Sequence, residues 1–216
     1  MSVFGKINAV LSYVGARQPL TEPPYDLNLI TEAVTANSDV ARIEFGRVED
    51  GWQPMQPGVL GRLCRYEARI SPYAAAEDDE ARALIHYSAS LNTCWRRFVV
   101  VKEMCHLLLD DVRSRVTTEK QLLALAEALC LPDDPRAMVE HLQYGSEHRA
   151  SFAAMEILAP LDIRQRLVPS IDAGRISHRD IAEMFRVPER FVPTFFHPRY
   201  IDLVMDARER EFGTEV

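Results

Sequence analysis

The stretch Arg96–Asp110, RRFVVVKEMCHLLLD, decides the reading of this chain. Its apolar residues are compatible with a single helix, and Asn92 or Thr93 just ahead of it is a suitable N-cap. The reading carries the helix on to about Val112. Glu103 and His106 stand three residues apart, so their side chains share a face one turn apart. The pattern Lys102-Glu103-Met104-Cys105-His106 is one residue away from His-Glu-x-x-His. In that motif two histidines at i and i+4 hold zinc and the glutamate activates a water. The first histidine is here Lys102, whose protonated amine has three donors and no lone pair for a metal. Cys105 points about 100° away from His106 around the helix and is not aligned as a ligand.

A second stretch lies further on. Glu147-His148-Arg149-Ala150-Ser151-Phe152-Ala153-Ala154-Met155-Glu156-Ile157-Leu158-Ala159-Pro160 combines a leading acid with a small-residue helix that ends at proline. Together the two stretches resemble the ImmA/IrrE family of zincin-like metallopeptidases. That family's signature helix is R-F-x-x-x-H-E-x-x-H-x-L-L, and its later helix is close to E-x-x-A-N-x-F-A-A-E-L-L-x-P. Aligned on Pro160 without a gap, Glu147, Ala150, Ala154, Glu156, Leu158 and Pro160 match the second pattern. Ser151 stands at the asparagine, and the phenylalanine is displaced by one place to Phe152. The match covers residues 96–160.

The resemblance implies a zincin-like helix pair, with His106 and Glu147 as the two remaining metal ligands and Glu103 as general base if the site is active. It also implies that Arg97 and Phe98 pack or pair beneath the site. His148 is a possible substitute ligand, with His141 behind it, if the helix turns. Zinc needs three protein ligands in such a site, and an ammonium beside it repels the metal. Lys102 offers a different solution: a fixed cation in the metal's volume, pairing with Glu147 or Glu103. Its coordinating as a neutral amine would need a pKa lowered by several units. Glu147 also has a purely structural reading, as an acid favoured at a helix N-terminus.

Around these stretches the chain reads as α+β and mainly helical. Helical periodicity covers residues 3–15 and 26–36, with Asp26 as N-cap and Pro19, Pro23 and Pro24 between them. ARIEFGRV, VLGRLCRYEARI and ARALIHYSA alternate apolar and polar residues, which predicts a small three-stranded antiparallel sheet. EDGWQPMQPG and SPYAAAEDDE are the loops between them. The last of these strands, at 82–89, is a candidate edge for holding a peptide as an added strand. Further helices are predicted at TEKQLLALAEALCL and from Asp134 to Leu158, the latter broken at Gly145 so that Glu147 opens a new turn.

Residues 1–160 thus form the metallopeptidase-like unit, and 161–216 a C-terminal helical unit packed on it. Within the latter, ISHRDIAEMFRVPERFVPTFF has the spacing of a helix-turn-helix, with Ser177 as cap and Val187-Pro188 as turn. Its second helix offers only Arg190 as a base reader among Phe191, Val192, Phe195 and Phe196, which predicts a packing unit rather than a DNA reader.

The net charge of −7 argues against a generic nucleic-acid or membrane-surface binder. Cys64, Cys94, Cys105 and Cys130 form no CxxC pair, as expected of buried free thiols in a reducing cytoplasm. The apolar stretch after Lys6 is interrupted by Asn8, Ser12 and Tyr13 and reads as a helix, not a signal peptide. Three functions compete. The first is a pseudopeptidase that needs no cofactor and binds a regulatory, repressor-type protein in a metal-free cleft. The second is an active zinc endopeptidase that cleaves such a repressor with a substituted third ligand. The third is a DNA-binding regulator using residues 177–196.

Overall fold

A computed structural model describes residues 2–49, 60–68, 80–110 and 142–213. Helix α1 (Val3–Gly15) starts where the Ser2 hydroxyl accepts from the Gly5 amide, and it buries Phe4, Ile7, Val10 and Val14. That spacing of three and four is one face of a helix. Helix α2 (Leu27–Ala36) follows the proline segment, and Asp26 caps it through the Asn28 amide. Both helices start where the sequence places them.

The three strands also fall in the expected stretches: β1 (Arg42–Val48), β2 (Gly61–Ala68) and β3 (Glu80–Ser88). Their arrangement differs from expectation. The order is β1-β3-β2, with β2 antiparallel to β3 and β1 parallel to it, so the sheet is mixed. Side-chain alternation fixes which face of a strand is buried but carries no information on direction, and the register satisfies burial either way. Phe45 and Leu63 both pair with Ile85. β3 is therefore the central strand, hydrogen-bonded on both sides. It has no edge to offer a peptide, contrary to the reading of 82–89 as a docking edge.

Helix α3 (Thr93–Leu109) is the hub. Asn92 caps it through the Trp95 amide, and Asp110 ends it. Nearly every side chain from Arg97 to Leu108 is buried, because α2, β2 and β3 pack around it together with helix α4 (Leu142–Leu158). α4 runs unbroken through Gly145, which is itself buried. The expected break is absent; a glycine inside a helix costs only about 1 kcal/mol, less than the packing of the segment supplies. Glu147 consequently sits within the helix and not at its first turn.

Beyond Pro160 come α5 (Leu161–Asp172), α6 (His178–Phe185), a single 3-10 turn (Glu189–Phe191), α7 (Val192–Phe195) and α8 (Pro198–Phe212). Ser177 and Asp180 form a reciprocal capping box on α6. The Phe191 ring lies against Trp95 and Phe98 of α3, so this unit closes over the same core as the rest of the described chain. The predicted helix at TEKQLLALAEALCL, along with His141, Cys130 and nearly all of the two long loops, lies outside the described residues.

Candidate functional site

The site lies where α3 and α4 face each other. Lys102 Nζ donates to Glu147 Oε2 at 2.5 Å and lies 3.2 Å from Glu103 Oε1. One turn further along α3, His106 presents Nε2 to Glu147 Oε1 at 3.2 Å. That approach is too oblique to be a hydrogen bond, so the buried Nε2 makes only an ionic contact. Its other nitrogen, Nδ1, pairs with Asp110 Oδ2 at 2.8 Å. Ser146 Oγ also lies 3.2 Å from Nδ1 and donates to Asp110 Oδ1. Two cations thus alternate with three carboxylates across the helix interface. The side chains of Glu103 and His106 are only 7% and 8% exposed, with Lys102 at 18% and Glu147 at 26%.

Helical geometry explains how one sequence delivers these groups. Lys102, His106 and Asp110 recur every four residues and line one stripe of α3. Glu103 is on the adjoining stripe, and Lys102 reaches it with a long flexible stem. Glu103 is buried because β2 passes close over it. A Cβ added to Gly61 would fall 3.2 Å from Glu103 Oε1 and 2.3 Å from Val99 Cγ1.

The charges have consequences for protonation. Burial works against the Lys102 ammonium, but the Glu103 and Glu147 carboxylates outweigh it and raise the lysine's pKa above its ordinary value. Coordination by a neutral Lys102 amine is therefore the disfavoured route. Burial also opposes the His106 imidazolium, yet the Asp110 and Glu147 contacts and the nearby carboxylates lift its pKa to about 9. Burial pushes Glu147 up, but the His106 and Lys102 cations hold it well below the usual carboxylate range. At neutral pH these shifts keep Lys102, His106 and Glu147 in their charged forms.

Of the residues singled out in the sequence, Lys102, Glu103, His106 and Glu147 come together. His148 follows Glu147 on α4 and points about 100° away around the helix. Arg97 is buried and donates to the Tyr25 carbonyl, and Phe98 packs edge-on to Trp95. Cys105 is buried, while Cys64 and Cys94 are half-buried; all three are free thiols. Asp110 and Ser146 were missed. The signal for Asp110 was its i+4 spacing from His106; Ser146 had only its adjacency to Glu147.

Two chemistries can be tested against this geometry. Serine, histidine and aspartate meet here, but Ser146 and Asp110 both address His106 Nδ1. A nucleophilic triad needs the serine on one ring nitrogen and the carboxylate on the other. Zinc fares no better. The 3.2 Å between His106 Nε2 and Glu147 Oε1 is close to the roughly 3.3 Å edge of a tetrahedral zinc site. The next group on Glu147, however, is the Lys102 ammonium, whose charge repels a metal ion. Among the described residues no group of three or more His, Cys, Asp or Glu side chains is placed to hold a metal ion. The described residues do not fit the metal.

Comparison with protein families, curated proteins and solved structures finds no match for the chain.

Proposed function

We propose that this chain is a metal-free pseudopeptidase of ImmA/IrrE type that uses its cleft to bind a regulatory, repressor-type protein in the cytoplasm. The observation that carries the reading is the position of Lys102 Nζ, held between Glu103 and Glu147 where the resembled motif has its first zinc-ligating histidine. A permanent cation there neutralises the carboxylates that a metal would otherwise neutralise. Glu103, the general base of the resembled enzymes, is engaged by that cation instead of facing a metal-bound water. The repressor-type partner follows from the resemblance alone. A membrane partner has no support in the described helices, none of which is long and apolar enough to cross a bilayer.

The alternative of an active zinc endopeptidase needs a third ligand, and His148, the proposed substitute, lies off the face that carries Glu147. The DNA-binding reading loses its reader. The second helix of the would-be motif is a 3-10 turn followed by four residues, Val192 and Phe196 are buried, and Arg190 stacks over Trp95 and Phe191.

Metal analysis of protein purified without chelator tests the proposal, and well under one zinc per chain is expected. A tightly held equivalent of zinc, lost in His106→Ala, would overturn it in favour of the endopeptidase. Incubation with candidate helix-turn-helix repressors should yield complexes containing intact repressor, and accumulation of a cleaved fragment would count against a pseudopeptidase.

A further inference from the structure

Against the N-terminal half of α3 lies a cavity of about 560 Å³ whose lining shares no residue with the Lys102 cluster. This volume is within the roughly 300–1,000 Å³ of small-ligand sites. Three arginines line it: Arg96 and Arg97 from the first turn of α3, and Arg186 from the end of α6. Among the described residues the one acidic group in the lining is Asp26, whose carboxylate also caps α2. The wall therefore carries a net charge of +2 in a chain whose overall charge is −7.

None of the three guanidiniums has a carboxylate within ion-pair distance among the described residues. Arg96 donates to the Leu91 carbonyl and leans on the Tyr87 ring. Arg97 is 9% exposed; among the described residues it donates to the Tyr25 carbonyl, and its buried Nε has no partner there. Burial, and then the Arg186 cation, lower the Arg97 pKa to about 10, which still leaves it charged at neutral pH. Arg186 is exposed, and its side chain has no hydrogen-bond or ion-pair partner among the described residues. Arg97 thus faces a second cation, and Asp26, the acid in the lining, acts on it without forming an ion pair; an incoming anion relieves that arrangement.

The rest of the lining says what else the ligand carries. Thr93, the first residue of α3, brings a hydroxyl and the amide end of a seventeen-residue helix, where anions are favoured. Tyr87 and Phe45 add aromatic surface, and Phe45 is 41% exposed, which is high for a phenylalanine. Guanidinium forks match phosphate oxygens, aromatic faces suit a flat ring, and a phosphate monoester carries about −1.5 to −2 at neutral pH, which balances the wall.

We propose that this cavity binds a mononucleotide-sized phosphate ester, with the phosphate on Arg96, Arg97, Arg186 and the α3 N-terminus and the ring against Tyr87 and Phe45. The site and the Lys102 cluster share no residue and lie towards opposite ends of α3, so either reading can fail without the other.

Titration calorimetry of the full chain with adenosine and guanosine 5′-monophosphate, in low and moderate salt, tests this. At least one nucleotide should bind, more weakly as salt rises, and more tightly than either adenosine or inorganic phosphate. Arg186→Asn keeps a residue type that tolerates the left-handed backbone at position 186, where φ is 51°. That variant and Arg96→Gln should each lower affinity by about tenfold, with unchanged far-ultraviolet circular dichroism confirming the fold. Absence of binding by both nucleotides at millimolar concentration would overturn the proposal, as would affinities unchanged in both variants. Inorganic phosphate binding as tightly as the nucleotides would overturn the assignment of the ring to Tyr87 and Phe45.

Discussion

Lys102 is the cation on which the charge cluster between α3 and α4 depends. Its ammonium touches Glu147 and Glu103, both largely shielded from water. Removing one partner of a buried ion pair leaves the other charge uncompensated, at about 3–5 kcal/mol, whereas an exposed lysine is worth about 0.5 or less. Lys102→Met should accordingly lose stability on the larger scale in urea denaturation; a variant that melts like the parent would mean the cation is dispensable. If the proposed kinship with the zinc motif holds, Lys102→His should be tolerated best when zinc is supplied, since it places a histidine at that motif's first ligand position. His106 sets a pH dependence. Its folded pKa of about 9 lies above the ordinary 6.5, so its stabilising contribution is complete below 6.5 and is lost as pH rises through about 9. The loss should be on the order of 3 kcal/mol, visible as a falling urea midpoint that flattens in His106→Gln. Glu147 acts in the opposite sense: its depressed pKa adds stability above 4.5 that drains away as pH falls below it.

At the scale of elements, the close approach of β2 to α3 governs the burial of the site. Gly61 is the point of contact, and a methyl group there would meet Val99 Cγ1 at 2.3 Å. Gly61→Ala should force strand and helix apart and cost about 1–3 kcal/mol, as overpacking does. Combining it with Val99→Ala should recover part of that loss. If the double variant is no more stable than additivity predicts, the contact is not the cause. The same crowding explains why the glycine cannot be judged from sequence: nothing local to GRLC requires it, and the requirement comes from a helix some forty residues away.

For the whole molecule, the C-terminal helices are part of the core and not an appendage. Phe191 inserts against Trp95 and Phe98, and the fully buried Arg164 pairs with Glu156 and donates to the Phe195 carbonyl. Cutting the chain after Pro160 would strip Glu156 of its cation and expose one side of α3. A 1–160 fragment should therefore fail to give a cooperative thermal transition, while the full chain unfolds in a single step. A fragment that melts cooperatively near the parent's temperature would show instead that residues 161–216 are an independent unit.

Sequence by itself determined the local events. Asp26, Asn92 and Ser177 cap their helices because a short polar oxygen satisfies amides within three residues of it. The strand positions follow from alternation, and the meeting of Lys102, Glu103, His106 and Glu147 was legible from helical spacing together with a resemblance to a known motif. What only the tertiary structure decided depends on partners distant in sequence. The parallel pairing of β1 with β3, the continuity of α4 through Gly145 and the fate of the 177–196 segment are of this kind. So are the meeting of Ser146 with His106 and the gathering of Arg96, Arg97 and Arg186 around one cavity. Periodicity fixes which face of an element is buried; strand direction, close approach and the pairing of buried charge are set by what packs against that face.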